Sequence, residues 1–163
     1  MRRTVVRPNE VQEESGKTVF GVKEALWMLL LGAAIGIGLN LVFSVLGLTK
    51  ASEAFNRVAG EQFSRPLPEA LLLYGVAAPL WEEAVFRKGV YGLARQLTGF
   101  TAAMILSAAL FGIYHGNVVQ GLYGFLMGLV LAVSYEKYKT LLAPILFHGG
   151  ANIAVWLLVY SMG

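Results

Sequence analysis

Long apolar segments with almost no charged side chains constrain this chain more than any other feature of its sequence. A helix of about 20 apolar residues crosses the hydrocarbon core of a bilayer, and several segments have that length. Only 14% of the 163 residues are charged and 56% are hydrophobic, which leaves too few charges to cover the surface of a soluble protein. The sequence therefore predicts an all-α fold, a polytopic bundle of membrane helices.

Five segments have the apolar length and the end signals of membrane helices, and together they predict about five spans. They cover roughly residues 25–48, 68–95, 99–115, 118–135 and 141–160. The polar link after the first segment has room for a short interfacial helix around residues 52–58. We divide the chain into a polar N-terminal segment, residues 1–24, and a membrane domain, residues 25–163, whose catalytic core is residues 68–160.

Glycine and proline make local predictions within these segments. Gly32, Gly36 and Gly38 lie on or near one face of the first segment, and Gly124 and Gly128 form another pair of small residues four apart. Small residues at this spacing let two helices approach closely in lipid, although glycine is also common in membrane helices for other reasons. Pro79 lies inside the second segment and predicts a kink or break there.

Charge predicts the orientation of the bundle. The chain has a net charge of +3, and its basic residues concentrate before the first segment and around residues 88–95 and 137–139. Because cytoplasmic loops are enriched in Lys and Arg, this pattern predicts a cytoplasmic N-terminus. The same explanation makes a nucleic-acid partner unnecessary. There is no cysteine, which excludes a thiolate nucleophile and thiolate metal ligands.

Three charged residues occur where a membrane helix should be apolar. A charge at the centre of a span costs roughly 2.5–3.5 kcal/mol, so Glu82, Glu83 and Arg87 need a reason. Glu83 and Arg87 are four residues apart and can pair on one helix face. Glu82 is rotated by about 100° from Glu83 and is free for another partner. One reading assigns a structural and a chemical glutamate; the other places the pair at a helix end in the interface.

The only two histidines of the chain also fall in apolar segments. His115 follows Phe111 by four residues, and His148 precedes Asn152 by four, so each pair shares a helix face. With a rise of about 1.5 Å per residue, Glu82, His115 and Asn152 are expected at similar depths in the membrane. The same count places His148 at a shallower depth. A buried histidine is more often a packed, hydrogen-bonded side chain than a functional one.

The three groups form a recognisable set: EExxxR over residues 82–87, FxxxH over residues 111–115 and HxxxN over residues 148–152. In this order, on separate apolar helices, they resemble the CPBP family, which comprises the type II CAAX prenyl endopeptidases and the bacteriocin-processing and abortive-infection (Abi) proteins. The resemblance implies a multi-pass protein of a prokaryotic cell membrane. It further implies an intramembrane endopeptidase whose active site lies inside the bundle and whose partners are lipid and a peptide or membrane-protein substrate.

The resemblance also assigns roles. Glu82 would activate a water molecule that His115 helps to hold, and His148 and Asn152 would stabilise the oxyanion. The implied catalytic residues are Glu82, His115, His148 and Asn152, and the implied supporting residues are Glu83, Arg87 and Phe111. A carboxylate in a low-dielectric site is a competent general base near neutral pH, and Asn and His donors suit an oxyanion.

Three alternatives remain open at this point. Two His and one Glu are also a ligand set for catalytic zinc or another divalent metal, in which case Glu82, His115 and His148 would bind it. The zincin motif HExxH is absent, which favours a mechanism without a cofactor. A non-catalytic immunity or scaffold protein of the same family is the second alternative. The third is a proton or ion transporter, which an evident inverted repeat would have favoured.

Overall fold

A computed structural model describes residues 19–162 of the chain, and the remaining residues, which include most of the predicted polar segment 1–24, lie outside the described part. Within residues 19–162 the backbone is helical and contains no strand. The elements are α1 (Val22–Val45), α2 (Leu48–Ala51), α3 (Glu53–Phe63), α4 (residues 67–97), α5 (Phe100–Tyr114), α6 (Val118–Tyr138) and α7 (Leu142–Met162). The predicted all-α membrane helix bundle is confirmed.

Three helices, α1, α6 and α7, are long and apolar enough to cross a membrane. Helix α5 is apolar but has 15 residues, which corresponds to about 22 Å. Helix α4 covers the second predicted segment but is divided by changes of helical type. The number of about five spans therefore stays a prediction.

The ends of α1 differ from the predicted residues 25–48 for local reasons. The helix begins at Val22, because the backbone N–H of Gly21 donates to the Glu24 carboxylate at 3.0 Å and forms a cap. It ends at Val45, because Gly47 adopts a φ of 72°, a left-handed conformation that interrupts the helix. The prediction that one helix continues to residue 48 is therefore wrong.

Helix α3 corresponds to the interfacial helix predicted around residues 52–58, but extends to Phe63. Its N-terminus is capped by Ser52, whose hydroxyl accepts from the Phe55 N–H at 3.2 Å. None of its residues is fully buried. Its C-terminal end is held to α7 by a hydrogen bond from Trp156 Nε1 to the Gln62 carbonyl oxygen at 3.3 Å. Helix α3 thus lies against the bundle rather than inside it.

Helix α4 changes type along its length instead of bending at Pro79 alone. Two π-helical segments alternate with α-helical ones, in the order Leu67–Leu72, Leu73–Ala77 (π), Ala78–Glu83, Ala84–Tyr91 (π) and Gly92–Leu97. The residues at the junctions stay in the right-handed helical region, so the helix is continuous. A wide π turn directly before Pro79 accommodates a residue that has no N–H and whose ring crowds the preceding turn. The two glutamates therefore lie between two π segments.

Close packing of α1 on α7 depends on glycine. A Cβ atom on Gly32 would overlap the carbonyl oxygen of Phe147, and a Cβ atom on Gly36 would lie 2.9 Å from that of Ala151. These approaches are shorter than two side chains allow. The close-contact interpretation is therefore confirmed for Gly32 and Gly36 and is wrong for Gly38, where a Cβ atom would have no neighbour within 4 Å.

Gly124 and Gly128, the second glycine pair, allow close packing of α6 on α5. A Cβ atom on Gly128 would lie 2.9 Å from Ala108 Cα, and one on Gly124 would lie 3.1 Å from His115 Nδ1. Gly128 therefore lets the two helices meet. Gly124 leaves space for the ring of His115, which links this packing contact to the site described below.

One end of the bundle collects charged side chains. The Glu136 carboxylate lies 3.4 Å from Arg95 Nη2 and 2.8 Å from Lys139 Nζ. The start of α1 reaches the same end, where the rings of Phe20 and Tyr138 are 5.2 Å apart. Because these segments are rich in basic residues, the sequence predicts that they face the cytoplasm. The orientation of the bundle stays a prediction.

We expect Gly32→Leu to lower the free energy of unfolding by about 1–3 kcal/mol, because the added side chain must displace the backbone of α7. Gly38→Leu is the matched control on the same helix, since a Cβ atom at Gly38 has no neighbour within 4 Å. Thermal unfolding of both variants in detergent, followed by circular dichroism, measures the difference. Equal transition temperatures for the two variants would contradict the proposed packing of α1 on α7.

Candidate active site

The centre of the bundle contains a buried ion pair. Arg87 Nε lies 2.9 Å from Glu83 Oε2, and both side chains are 0% exposed. This is the pair that the four-residue spacing predicted. A buried charge is tolerated only with a partner, so each of the two residues allows the other to be present. Glu83 and Arg87 consequently do not reach the cavity described below.

Arg87 also contacts α5. Its Nη1 donates to the hydroxyl of Ser107 at 3.3 Å, and that hydroxyl donates to the Phe86 carbonyl oxygen at 2.9 Å. The guanidinium group lies over the ring of Phe111, with 4.8 Å between Cζ and the ring centroid. Such stacking stabilises a cation that has been removed from water.

His148 connects the ion pair to the second glutamate. Its Nδ1 lies 2.9 Å from Glu83 Oε1, and its Nε2 lies 3.6 Å from Glu82 Oε2. The expectation of a shallower His148 is therefore wrong. That estimate counted backbone rise from one common plane, which the sequence does not fix, and it left out the length of the side chains.

The hydrogen bond to Glu83 determines how His148 can act. A carboxylate only accepts, so the Nδ1 atom carries a proton that it donates to Glu83. In a neutral ring Nε2 is then an acceptor that faces the cavity. Nε2 becomes a donor only when the ring is the doubly protonated imidazolium. Both forms present a proton-transfer group next to Glu82.

His115 lies at the C-terminal end of α5, where its Nδ1 lies 2.8 Å from the carbonyl oxygen of Phe111. A carbonyl only accepts, so Nδ1 is the protonated nitrogen and Nε2 is left for another partner. The Phe111 ring packs edge-on against both histidines, with centroids 4.8 Å from His115 and 5.7 Å from His148. Phe111 thereby orients the two imidazoles.

Asn152 is oriented by the first π segment. Its Nδ2 donates to the carbonyl oxygen of Tyr74 at 3.0 Å, and the side chain is only partly buried. One amide N–H is therefore occupied, while the second N–H and the Oδ1 atom are left for other partners.

Glu82, His115, His148 and Asn152 line one cavity of about 360 Å³. The structure thus brings all four predicted catalytic residues together. The Glu82 side chain is 13% exposed, in contrast to the fully buried Glu83, so the two neighbouring carboxylates have separate environments. The cavity is also lined by residues of α1, α3 and α6, among them Asn40, Phe55, Gln62, Gln120 and Tyr123.

Sequence reasoning missed the partners that hold these side chains. Ser107 is absent from the predicted site residues, whereas its hydroxyl contacts Arg87. Tyr74 contributes only its backbone carbonyl oxygen, and every residue type has this group, so the sequence gives no signal for it. The amphipathic pattern of α3 was a usable signal for a helix, but not for its position over the cavity.

Glu82, His115 and His148 are also the residues that would bind a metal ion. Among residues 19–162, no three His, Asp or Glu side chains form a group that could hold a metal ion. His148 Nδ1 is engaged by Glu83, and His115 Nδ1 by a backbone carbonyl. These bonds leave the Nε2 atom of each histidine for another ligand, as the outer bonds of metal-binding histidines commonly do, so a metal held by Glu82, His115 and His148 stays an open alternative.

Comparison with known proteins gives similar proteins, two of which are named as a membrane peptidase or protease. Putative membrane peptidase YdiL of Bacillus subtilis is 29% identical over 69% of this chain, and the match spans 46% of the relative's length. UPF0177 protein YbdI of Lactococcus lactis is 26% identical over 85% of this chain and 78% of the relative. Membrane-embedded CAAX protease MroQ of Staphylococcus aureus is 23% identical over 89% of this chain and 64% of the relative. No solved structure gives a significant match.

The sequence profile of one protein family matches residues 65–154. This range is more than half of the chain and contains Glu82, His115, His148 and Asn152, together with the buried ion pair. The chain therefore belongs to the Rce1-like family of type II CAAX prenyl endopeptidases.

Proposed function

We propose that this protein is an intramembrane endopeptidase that hydrolyses a peptide bond with a water molecule activated by Glu82. One observation carries the proposal: a partly exposed carboxylate shares a cavity with two imidazoles and an amide, while its neighbour Glu83 is buried in an ion pair. Of the two neighbouring glutamates, only Glu82 faces the cavity and can contact a substrate. The names of two relatives, a putative membrane peptidase and a membrane-embedded CAAX protease, support the same reaction class.

In the proposed reaction, Glu82 removes a proton from water as the oxygen atom attacks the carbonyl carbon of the scissile bond. The Nε2 atom of His115 helps to hold that water. Negative charge then develops on the carbonyl oxygen, where the free N–H of Asn152 and the Nε2–H of an imidazolium His148 donate to it. Glu82 returns the proton to the amide nitrogen, the C–N bond breaks, and an acid and an amine leave.

Glu83, Arg87 and Phe111 support this reaction without contacting the substrate. Glu83 sets the tautomer of His148 through the 2.9 Å contact, and Arg87 is the charged partner of Glu83 inside the bundle. Phe111 packs against both histidines. Each group thereby fixes the direction in which an imidazole nitrogen faces the cavity.

The proposed substrate is a membrane-associated peptide or a segment of a membrane protein. The cavity lies within a helix bundle and combines polar groups with apolar walls from Phe43, Phe55 and Val119. Such a site suits an extended peptide that carries an apolar side chain. Whether that peptide is a bacteriocin precursor stays a prediction from the family resemblance.

We expect Glu82→Gln to reduce cleavage by about 10²–10⁴-fold, because the amide cannot accept the proton of the attacking water. Glu69→Gln is the control, since Glu69 is an exposed carboxylate of the same helix. The measurement is cleavage of quenched fluorescent peptides, with and without a lipid anchor, by purified protein in liposomes. A Glu82→Gln variant that cleaves at the wild-type rate would contradict the mechanism and favour a non-catalytic immunity or scaffold role.

We expect cleavage to continue at the full rate after exhaustive dialysis against a chelator, because the proposed base and donors are protein groups. The control is the same assay after addition of Zn²⁺, which should give no stimulation. Activity that is lost on chelation and restored by Zn²⁺ would overturn the metal-free mechanism and support Glu82, His115 and His148 as metal ligands.

A further inference from the structure

Ser107 is a fully buried polar residue that no part of the proposed reaction uses. A serine inside a helix commonly bonds a carbonyl of its own preceding turn. Ser134 on α6 does so, with its hydroxyl 2.8 Å from the Leu131 carbonyl oxygen. The hydroxyl of Ser107 instead leaves its own helix and bonds α4, where it donates to the Phe86 carbonyl oxygen and accepts from Arg87.

The two bonds give Ser107 a defined orientation. Phe86 belongs to the second π segment of α4, and its carbonyl accepts the hydroxyl proton at 2.9 Å. The oxygen lone pairs of Ser107 are then directed towards Arg87 Nη1 at 3.3 Å. Within residues 19–162, Arg87 forms a hydrogen bond to a side chain of another helix only at Ser107.

The contact reaches His148 through one ion pair and one hydrogen bond. Arg87 Nε lies 2.9 Å from one oxygen of Glu83, and the other oxygen lies 2.9 Å from His148 Nδ1. A guanidinium group is planar and rigid, so a bond at Nη1 also sets the direction of the Nε–H bond. Rotation of Arg87 about its side chain would therefore displace the Glu83 carboxylate and, with it, the imidazole.

We propose that Ser107 is a positioning residue of this active site: it fixes the guanidinium group of Arg87 and thereby the orientation of the His148 ring. The inference rests on the proposed function for its effect on rate, but not for its effect on geometry. Ser107 is not a nucleophile, because it does not line the cavity and is 0% exposed. It acts through Arg87 and Glu83.

The geometry is tested without a substrate. The chain contains only His115 and His148, so selective ¹⁵N-histidine labelling gives signals from two rings, assigned with a His115→Gln variant. We expect Ser107→Ala to shift the ring nitrogen signals of His148, while those of His115 change no more than in Ser134→Ala. Ser134→Ala is the matched control, because it also removes one buried hydroxyl. Ser107→Thr keeps the hydroxyl and should restore the wild-type His148 signals.

The effect on rate is tested with the cleavage assay described above. We expect Ser107→Ala to lower kcat about tenfold and to leave KM within about twofold, because the substrate still binds while the imidazole is misaligned. Ser134→Ala should keep the wild-type kcat, and Ser107→Thr should recover most of it. Unfolding temperatures of the alanine variants show whether both remain folded.

The outcomes separate the two proposals. If the wild-type protein cleaves no peptide, the proposed function fails, and the histidine spectra still decide the role of Ser107. If the wild-type protein cleaves but Ser107→Ala leaves both kcat and the His148 signals unchanged, the positioning role is wrong and the proposed function stands. An equal loss of kcat in Ser134→Ala would likewise overturn it, because that loss would reflect packing alone.

Discussion

The buried pair of Glu83 and Arg87 is the interaction on which the rest of the structure depends. Two charges can remain in an apolar bundle only when each has a partner at hydrogen-bonding distance, and here both are 0% exposed. The pair is extended on one side by His148 and on the other by Ser107, so it connects helices α4, α5 and α7. A change in this pair would therefore alter the packing of three helices and the orientation of the His148 imidazole together.

The shape of α4 makes this arrangement possible. An undisturbed α-helix would rotate successive side chains by about 100°, and a π turn changes that rotation locally. Two π segments, Leu73–Ala77 and Ala84–Tyr91, flank the glutamates. Each contributes a carbonyl that accepts from another helix: Tyr74 from Asn152 and Phe86 from Ser107. The irregular helix is therefore also the element to which Asn152, at the cavity, and Ser107, beside the ion pair, are bonded.

Sequence reasoning succeeded where spacing along one helix determines geometry. The Glu83–Arg87 pair follows from a separation of four residues, and the close approach of α1 to α7 follows from Gly32 and Gly36. It failed where geometry depends on two helices at once. The depth of His148 was misjudged because no rise per residue specifies the relative level of two helix ends.

The sequence by itself determined that the chain is an all-α membrane protein and that Glu83 and Arg87 can pair on one helix face, because hydropathy and helical periodicity are local properties. Only the tertiary structure decided that Glu82, His115, His148 and Asn152 line one cavity and that the Glu83–Arg87 pair is fully buried outside it. It also decided which nitrogen of each imidazole is occupied. These features depend on contacts between residues far apart in the chain, and such contacts exist only after the helices have packed.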